Sequence, residues 1–313
     1  MNLQQLEYII AVEQEKNFVK AASKCFITQA TLSMMIKKLE DELGLKIFDR
    51  SKQPVIPTRE GQQIIDYAKR IIGEASMLKE FAGELKGEIA GELRLGVIPT
   101  LAPYLLPLFL KEISRKIPQM KIKIRELITE DIIRMIKHGE MDAGLLATPL
   151  HDPLIAEHPL FYEEFFAYAA QSEKLPQKKY ILPAHIKPDH LWLLEEGHCM
   201  RNQLVNFCSL KKQDETSSLY YEAGSIETLI NLVDMGEGIT ILPRLATLRL
   251  SASQKKKLRE FAPPKPAREI SLITRLHFPR KKLLHKLMNE ITASVKKNIA
   301  VDGKGMRIID LQL

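Results

Sequence analysis

The sequence predicts a multidomain α+β protein, in which a small helical domain and a long helix precede a larger α/β region. Three observations indicate this fold class. Apolar residues recur at helical spacing through the first sixty residues, and one apolar stripe then continues over about seven helical turns. From Gly91 onward, short β-rich runs alternate with helical runs. The length of 313 residues is typical of two or three domains.

The first sixty residues are predicted to form three short helices followed by a hairpin. Leu3 opens a run of apolar residues at helical spacing, and a second helix begins near Phe18. Thr28 is a suitable N-cap for a third helix that ends at Gly44. Residues 46–58 contain two strand-like pieces around a Lys-Gln-Pro tip, which predicts a small wing after the helices.

Two helices joined by a short turn, the second with a polar outer face, form a helix-turn-helix. The second helix of such a pair fits the major groove of DNA, where hydroxyl and amide side chains reach base edges and a lysine reaches a phosphate. An arginine on the wing can bind the backbone or the adjacent minor groove. The residues predicted to face DNA are Thr28, Gln29, Ala30, Thr31, Ser33, Met34, Lys37 and Arg50. The alternative is a small helical domain without a role in DNA binding.

Residues 58–88 are predicted to form one long helix that pairs with a second copy of the chain. A small neighbouring domain offers too little surface to cover an apolar stripe of this length, so the stripe favours a dimer. The alternative is a helix buried within its own domain. The stripe consists of Ile64, Ile65, Ala68, Ile71, Ile72, Ala75, Leu78, Phe81, Ala82 and Leu85.

The remaining chain is predicted to form βαβ units with a parallel sheet. Strand-like runs cover residues 92–98, 121–127 and 142–148, and helical runs cover 102–116 and 129–138. A second α/β region starts at 160–170, and its Gly224-Ser225 pair precedes a helix whose N-terminus can bind a polar group. A strand at 269–275 and a basic helix at 281–298 close the region. The residues from about 300 are expected to be a tail without a function.

Cys199 and Cys208, two of three cysteines in the chain, form a candidate switch. Positive charge from His198 and Arg201 favours the thiolate of Cys199. If the intervening segment is helical, nine residues separate the two Cα atoms by about 13 Å. A disulfide needs Cα atoms within about 7 Å, so the segment must refold before the bond can form. The alternative is two inert thiols that pack in the core, which is also how we interpret Cys25.

Net charge, cysteine content and apolar runs limit the classes of protein to which the chain can belong. The net charge of +7 is not concentrated in the helix-turn-helix, because residues 1–60 carry nine Lys and Arg against eight Asp and Glu. The few cysteines, the lack of an apolar leader and the lack of a run near 18 apolar residues lead us to expect a cytoplasmic protein without a membrane partner. No metal-ligand spacing, nucleotide loop or Ser/His/Asp arrangement stands out, so we expect no metal and no cofactor.

The N-terminal residues resemble the signature of LysR-type transcriptional regulators, with matching spacing over the whole domain. Two positions depart from the family pattern: Cys25 replaces a usual leucine, and Ala30 stands where proline is common. The matching residues are Phe18, Ala21, Ala22, Thr28, Gln29, Leu32, Ser33, Ile36, Leu39, Glu40, Leu43, Gly44, Phe48, Arg50, Pro57, Thr58 and Gly61.

The resemblance implies a domain organisation and an assembly. The family has a winged helix-turn-helix, a linker or dimerisation helix, and an effector domain of two Rossmann-like subdomains of the periplasmic-binding-protein type, joined by crossover strands. It also works as a homotetramer, a dimer of dimers, on promoter DNA. The implied boundaries are 1–58 for the DNA-binding domain, 59–89 for the linker, 90–300 for the effector domain and 301–313 for the tail. Subdomain I is expected at about 90–161 and 267–300, and subdomain II at about 162–266.

Three segments, 95–107, 197–208 and 224–243, resemble the peroxide-sensing members of this family. The resemblance implies that Cys199 is the peroxidatic cysteine and that Cys208 is the resolving cysteine. It also implies a peroxide pocket lined by Thr100, Thr129, His198 and Arg268, with Arg201 adding charge. The alternative for Thr100 and Thr129 is that each caps the helix that follows it. The implied partners are hydrogen peroxide, promoter DNA, RNA polymerase and the thiol reductants that reset the disulfide.

Three rival interpretations stay open. The first is a LysR-type regulator that responds to a small organic effector and whose cysteines are inert. A solute-binding protein has two similar α/β lobes, but the N-terminal helix-turn-helix and the missing signal peptide disfavour it. A thiol peroxidase would share the cysteine chemistry but has no use for a DNA-reading domain, so we do not expect an enzyme.

Overall fold

The computed structural model describes residues 1–173, 175–176, 180–195, 199–207, 223–299 and 302–311. The chain divides into two compact units, residues 1–88 with 135–140, and residues 89–134 with 141–313. No helix within the described ranges has the length and apolarity that crossing a bilayer requires.

The first unit contains the predicted helix-turn-helix, wing and long helix. Its elements are α1 (Leu3–Glu15), α2 (Phe18–Lys24), α3 (Gln29–Leu43), β1 (Phe48–Asp49), β2 (Ile56–Pro57) and α4 (Arg59–Leu85). The Thr28 hydroxyl caps α3 by accepting from the N–H of Thr31, and Gly44 ends α3 in the left-handed conformation with φ of 69°. Strands β1 and β2 pair antiparallel, so the predicted wing is confirmed.

The core of the first unit forms where α1, α2, α3 and the start of α4 meet. Leu32, Ile36 and Leu39 lie on one face of α3 and are buried, whereas Leu43 at the helix end is 37% exposed. Gly61 lets α4 approach the base of the wing, because a Cβ there would lie 2.0 Å from the carbonyl oxygen of Ile47.

The second unit is a mixed sheet with helices on its faces. Its strands are β3 (Gly91–Val97), β4 (Met120–Glu126), β5 (Ala143–Thr148), β6 (Ile155–Ala169), β7 (Tyr180–Ile181), β8 (Ile239–Pro243), β9 (Leu258–Phe261), β10 (Lys265–Arg275) and β11 (Met306–Ile308). Its helices are α5 (Ala102–Lys116), α6 (Thr129–Lys137), α7 (Cys199–Phe207), α8 (Ile226–Asp234), α9 (Arg244–Thr247), α10 (Ala252–Lys255) and α11 (Lys281–Lys296). The strand order is β4-β3-β5-β10-β6-β9-β7, with β11 beside β10 and β8 beside β6.

Strand β6 links two parts of this sheet. Strands β3, β4 and β5 are parallel to one another, as the alternating pattern predicts. The first part of β6 pairs antiparallel with β10, and its last residues, Phe165–Ala169, pair with β8. Two α/β parts joined by long crossing strands are the fold class that the resemblance implies, which is therefore confirmed.

The C-terminal residues differ from the expected tail. Strand β11 pairs in parallel with Lys265–Ala267 of β10, and Ile309 and Leu311 are each only 6% exposed. Residues 302–311 therefore pack as part of the second unit. Sequence periodicity misses this segment because it contains a single short strand whose partner lies about forty residues earlier.

Candidate redox site and DNA-binding face

Helix α3 presents most of the residues that are predicted to face DNA. The exposed ones are Thr28, Gln29, Ala30, Met34 and Lys37, and the half-buried ones are Thr31 and Ser33. The Thr28 hydroxyl is exposed and also caps the helix, because it accepts from the N–H of Thr31 at 3.2 Å and lies 2.9 Å from the Thr31 hydroxyl.

Arg50 connects the wing to α3. Its Nη1 donates to the Ser33 hydroxyl at 2.9 Å, and its Nη2 donates to the Glu40 carboxylate at 3.3 Å. The guanidinium carbon also lies 4.9 Å from the centre of the Phe18 ring. Glu40 is buried and accepts from the N–H of Ile47, which explains how one carboxylate holds both the wing and its arginine. Direct contact between Arg50 and DNA stays a prediction.

Cys25 packs against the core of the helix-turn-helix. Burial raises the pKa of its thiol, and repulsion from the Glu7 carboxylate adds to the increase, so the unreactive thiol form is favoured. This environment supports the structural role that we expected for Cys25.

Thr100 and Thr129 lie at the same edge of the second unit. Strands β3 and β4 run parallel with Val97 opposite Glu126, and each threonine follows its strand end by three residues. Because the carboxyl ends of parallel strands meet at one edge, both threonines lie on the same side of the sheet, with Thr129 as the first residue of α6. Thr100 is 3% exposed and Thr129 is 1% exposed.

Thr100 is bound to Arg268. The Arg268 side chain is fully buried, and its Nη1 donates to the Thr100 hydroxyl at 2.9 Å while its Nη2 donates to the Thr100 carbonyl at 3.3 Å. The residue that caps α5 is Leu101, which makes no side-chain cap bond. The capping alternative for Thr100 is therefore wrong.

A buried carboxylate, Glu163, neutralises Arg268. The two residues are direct neighbours on β6 and β10, both side chains are fully buried, and Nη2 lies 2.8 Å from the Glu163 carboxylate. The other carboxylate oxygen accepts from the N–H of Leu245 at 2.7 Å. Because Leu245 belongs to α9 and Thr100 precedes α5, this ion pair links both parts of the unit.

Thr129 differs from Thr100 in its partners. Its hydroxyl is buried, and it has no hydrogen-bond partner among the described residues. Thr129 therefore does not cap the helix that follows it either. A buried hydroxyl without a partner is unusual and is a place where a small polar molecule can bind.

Cys199 is the first residue of α7 and is 4% exposed. The Nη1 of Arg201 donates to the carbonyl of Leu194 at 2.9 Å, which fixes that guanidinium on the segment before the cysteine. At the other end of α7, the Phe207 ring meets the Phe261 ring edge-to-face with centroids 5.2 Å apart.

Hydrogen bonds join two of the predicted pocket residues, Thr100 and Arg268. No hydrogen bond joins Cys199 or Thr129 to that pair within the described part of the chain. His198 and Cys208 lie outside the described residues, so their predicted roles stay predictions. Over the same described ranges, no group of His, Cys, Asp and Glu could hold a metal ion.

Comparison with known proteins identifies the family. Residues 3–62 match the bacterial regulatory helix-turn-helix proteins of the lysR family, and residues 86–296 match the LysR substrate binding domain. The chain belongs to the LysR family. Within this LysR-family chain, the helix-turn-helix match covers α1 to the start of α4, and the second match covers the strands and helices around Thr100, Cys199 and Arg268.

Relatives of this LysR-family chain are similar over almost its full length. It is 31% identical over 296 residues to the hydrogen peroxide-inducible genes activator of Haemophilus influenzae, covering 95% of this chain and 98% of the relative. It is 32% identical over 296 residues to the DNA-binding transcriptional dual regulator OxyR of Escherichia coli, covering 94% and 95%. Its fold is similar to a full-length OxyR variant from Pseudomonas aeruginosa, with a TM-score of 0.76, 33% identity and coverage of 93% and 98%.

Sequence reasoning misses two residues of the site, Glu163 and Tyr104. Alternation along β6 could have revealed Glu163, because it shares a buried face with Phe161 and Phe165. Tyr104 on α5 donates to the Glu227 carboxylate on α8 at 2.8 Å, a second link between the two parts of the unit. Burial, reinforced by Glu227, raises the pKa of Tyr104, which keeps the phenol protonated as a donor.

Proposed function

We propose that this protein is a hydrogen-peroxide-sensing transcriptional regulator that is switched by a reversible Cys199–Cys208 disulfide. The observation that carries the proposal is the buried Cys199 at the N-terminus of α7, in a chain whose relatives are named as peroxide-inducible activators. The protein binds promoter DNA through α3 and the wing. It acts in the cytoplasm as a regulator and not as an enzyme, because its output is a change in promoter binding.

The chemistry begins at the Cys199 thiolate. Its sulfur attacks one oxygen of hydrogen peroxide, the O–O bond breaks, and the departing hydroxide takes a proton to become water. Cys199 is then a sulfenic acid, which the Cys208 thiol attacks to form the disulfide and a second water. His198 and Arg201 add positive charge near the thiolate. The buried Thr129 hydroxyl and the Thr100–Arg268 pair bind the peroxide oxygens and stabilise the departing hydroxide.

Helix α7 must shorten for this bond to form. Eight residue steps of about 1.5 Å place the Cα atoms of Cys199 and Phe207 about 12 Å apart. A residue bonded to Phe207 can lie at most about 3.8 Å closer, whereas a disulfide needs Cα atoms within about 7 Å. Disulfide formation therefore requires part of α7 to unwind.

The change in α7 alters promoter binding because it changes the contacts between subunits. The protein forms a homotetramer, a dimer of dimers, in which α4 pairs with α4 of a second copy. Refolding near α7 changes the contacts between subunits and so the spacing of the DNA-binding domains, which must fit successive half-sites. The rearranged tetramer recruits RNA polymerase, and cellular thiol reductants return it to the first state.

The test compares Cys199→Ser, Cys208→Ser and Cys25→Ser in the full-length protein. Peroxide treatment followed by mass spectrometry should yield a Cys199–Cys208 bridge in the wild type and in Cys25→Ser, and none in the other two. A footprint on a target promoter should change with peroxide only where the bridge forms. A bridge that never forms, with Cys199 over-oxidised and Cys208 free, would contradict the switch.

A second candidate is regulation by a small organic effector, which the match to a LysR substrate binding domain favours. Under this alternative the cysteines are inert. Retention of the wild-type peroxide response in Cys199→Ser, or a footprint that shifts with a small organic acid and not with peroxide, would favour the effector over the disulfide.

A further inference from the structure

Residues 302–311, which we name the C-terminal strap, attach to the strand that carries Arg268. Strand β11 of the strap pairs in parallel with Lys265–Ala267 of β10. The N–H of Ile309 then donates to the carbonyl of Ala267 at 2.9 Å, directly before Arg268 in the chain. One end of the strap is therefore fixed to the site by backbone hydrogen bonds.

The strap also holds the helix that begins with Cys199. Gln203 lies four residues after Cys199 on α7 and is fully buried, and its Nε2 donates to the carbonyl of Ile309 at 2.7 Å. Residues four apart share one face of a helix, so this bond lies on the same face as the cysteine. The Oε1 of Gln203 has no partner within the described residues, so the bond to Ile309 is what orients the amide.

We propose that the C-terminal strap is a latch for the reduced state, and that Gln203 is the positioning residue through which it acts on Cys199. The latch holds α7 helical and thereby opposes disulfide formation. This inference rests on the proposed redox function of Cys199. The strap itself lies beyond position 296, where the match to the LysR substrate binding domain ends.

The latch works because the hydrogen bond between Gln203 and Ile309 can exist only while the two cysteines are reduced. Gln203 lies at the middle of α7, so it must move when the helix shortens for the disulfide. The Ile309 carbonyl then loses its donor, and a buried polar group without a partner is unfavourable. The strap therefore stabilises the thiol form over the disulfide form, which makes the disulfide easier to reduce and harder to form.

Gln203→Met in the full-length protein tests the latch, because methionine keeps the shape and removes the donor. The readout is the reduction potential of the Cys199–Cys208 couple, measured in glutathione buffers by alkylation of free thiols. We expect the equilibrium to shift about tenfold toward the disulfide, the size typical of one lost buried hydrogen bond. A tenfold shift corresponds to a potential about 30 mV more negative for two electrons. The control is Arg307→Met, which changes an exposed side chain in the strap.

Melting temperatures separate a latch from a merely structural contact. A latch lowers the melting temperature of the reduced form of Gln203→Met and leaves the oxidised form unchanged. Equal losses in both forms, with the wild-type potential retained, would overturn the inference. If the wild type forms no disulfide with peroxide, the proposed function itself fails, and that outcome is distinct from an unchanged potential in Gln203→Met.

Removal of residues 302–313 provides a second variant. It deletes the acceptor of the bond, so we expect a shift of potential in the same direction. Adding Gln203→Met to the truncation should then change the potential no further, because both changes remove the same interaction. Additive shifts would mean that Gln203 and the strap act separately, which contradicts the latch; if the truncated chain does not fold, Gln203→Met alone decides.

Discussion

At the scale of single residues, the buried Thr100 and Thr129 occupy similar positions in the sequence but differ in their hydrogen-bond partners. Each follows a parallel strand by three residues. The Thr100 hydroxyl already accepts a hydrogen bond from Arg268, whereas the Thr129 hydroxyl has no partner among the described residues. A buried hydroxyl without a partner costs folding free energy, and a bound polar molecule would remove that cost. Thr129 is thus the better candidate for a contact with peroxide.

Thr129→Val should separate stability from function. Valine keeps the shape and removes a desolvated hydroxyl, so we expect the free energy of unfolding to stay constant or to increase. The rate constant for oxidation of Cys199 by peroxide should decrease, because a donor to the peroxide oxygens is lost. Urea unfolding and stopped-flow peroxide kinetics measure the two quantities.

Thr148→Val is the matched control. The Thr148 hydroxyl is fully buried but has partners, donating to Glu269 at 2.7 Å and lying 2.6 Å from the Ser271 hydroxyl. This variant should lose about 1–3 kcal/mol of stability. An oxidation rate in Thr129→Val equal to that of the wild type would exclude the hydroxyl from peroxide binding.

At the scale of elements, the crossing strands β6 and β10 are joined by an ion pair that has no contact with water. Both Glu163 and Arg268 are fully buried, and Glu163 also accepts from the N–H of Leu245. The Thr100 loop, β10, β6 and the start of α9 therefore share one set of polar contacts. A rearrangement of one part of the unit that breaks these contacts would leave a charge buried without a partner.

Glu163→Gln should strongly destabilise the second unit. Removing one partner of a buried ion pair leaves the other charge uncompensated, which typically costs about 3–5 kcal/mol. The control is Glu164→Gln on the opposite face of β6, where the carboxylate lies 3.4 Å from Lys265 near the surface. There the loss should be at most about 1 kcal/mol. Equal losses for the two variants in urea unfolding would contradict the role of Glu163.

Elements built from local contacts could be predicted from the sequence. Periodicity and capping residues such as Thr28 and Gly44 gave the bounds of α3 to within one residue. Contacts between distant residues could not be predicted in this way. The alternation along β6 could indicate that Glu163 is buried, but its partner Arg268 lies 105 residues later. The C-terminal strap could not be predicted either, because β11 is too short to show a strand period.

At the scale of the whole molecule, α4 carries the surface that an assembly would use. Ile71, Leu78 and Leu85 are 40%, 68% and 69% exposed in the single chain. They are spaced seven residues apart, so they lie along one face of the helix, as in a coiled coil. Exposed apolar residues in such a row favour pairing with a second copy, which the tetramer of the proposed function requires.

Leu78→Glu should weaken that pairing without unfolding the chain. A carboxylate in the middle of the apolar row opposes burial against a second copy, whereas an exposed position contributes little to the stability of one chain. We expect smaller species in analytical ultracentrifugation and weaker binding to DNA with two half-sites, with binding to a single half-site retained. Ser76→Glu introduces the same charge at an exposed position off the row and should retain the wild-type assembly. Wild-type sedimentation of Leu78→Glu would rule out α4 as the pairing surface and would require the half-sites to be spanned by contacts elsewhere in the chain.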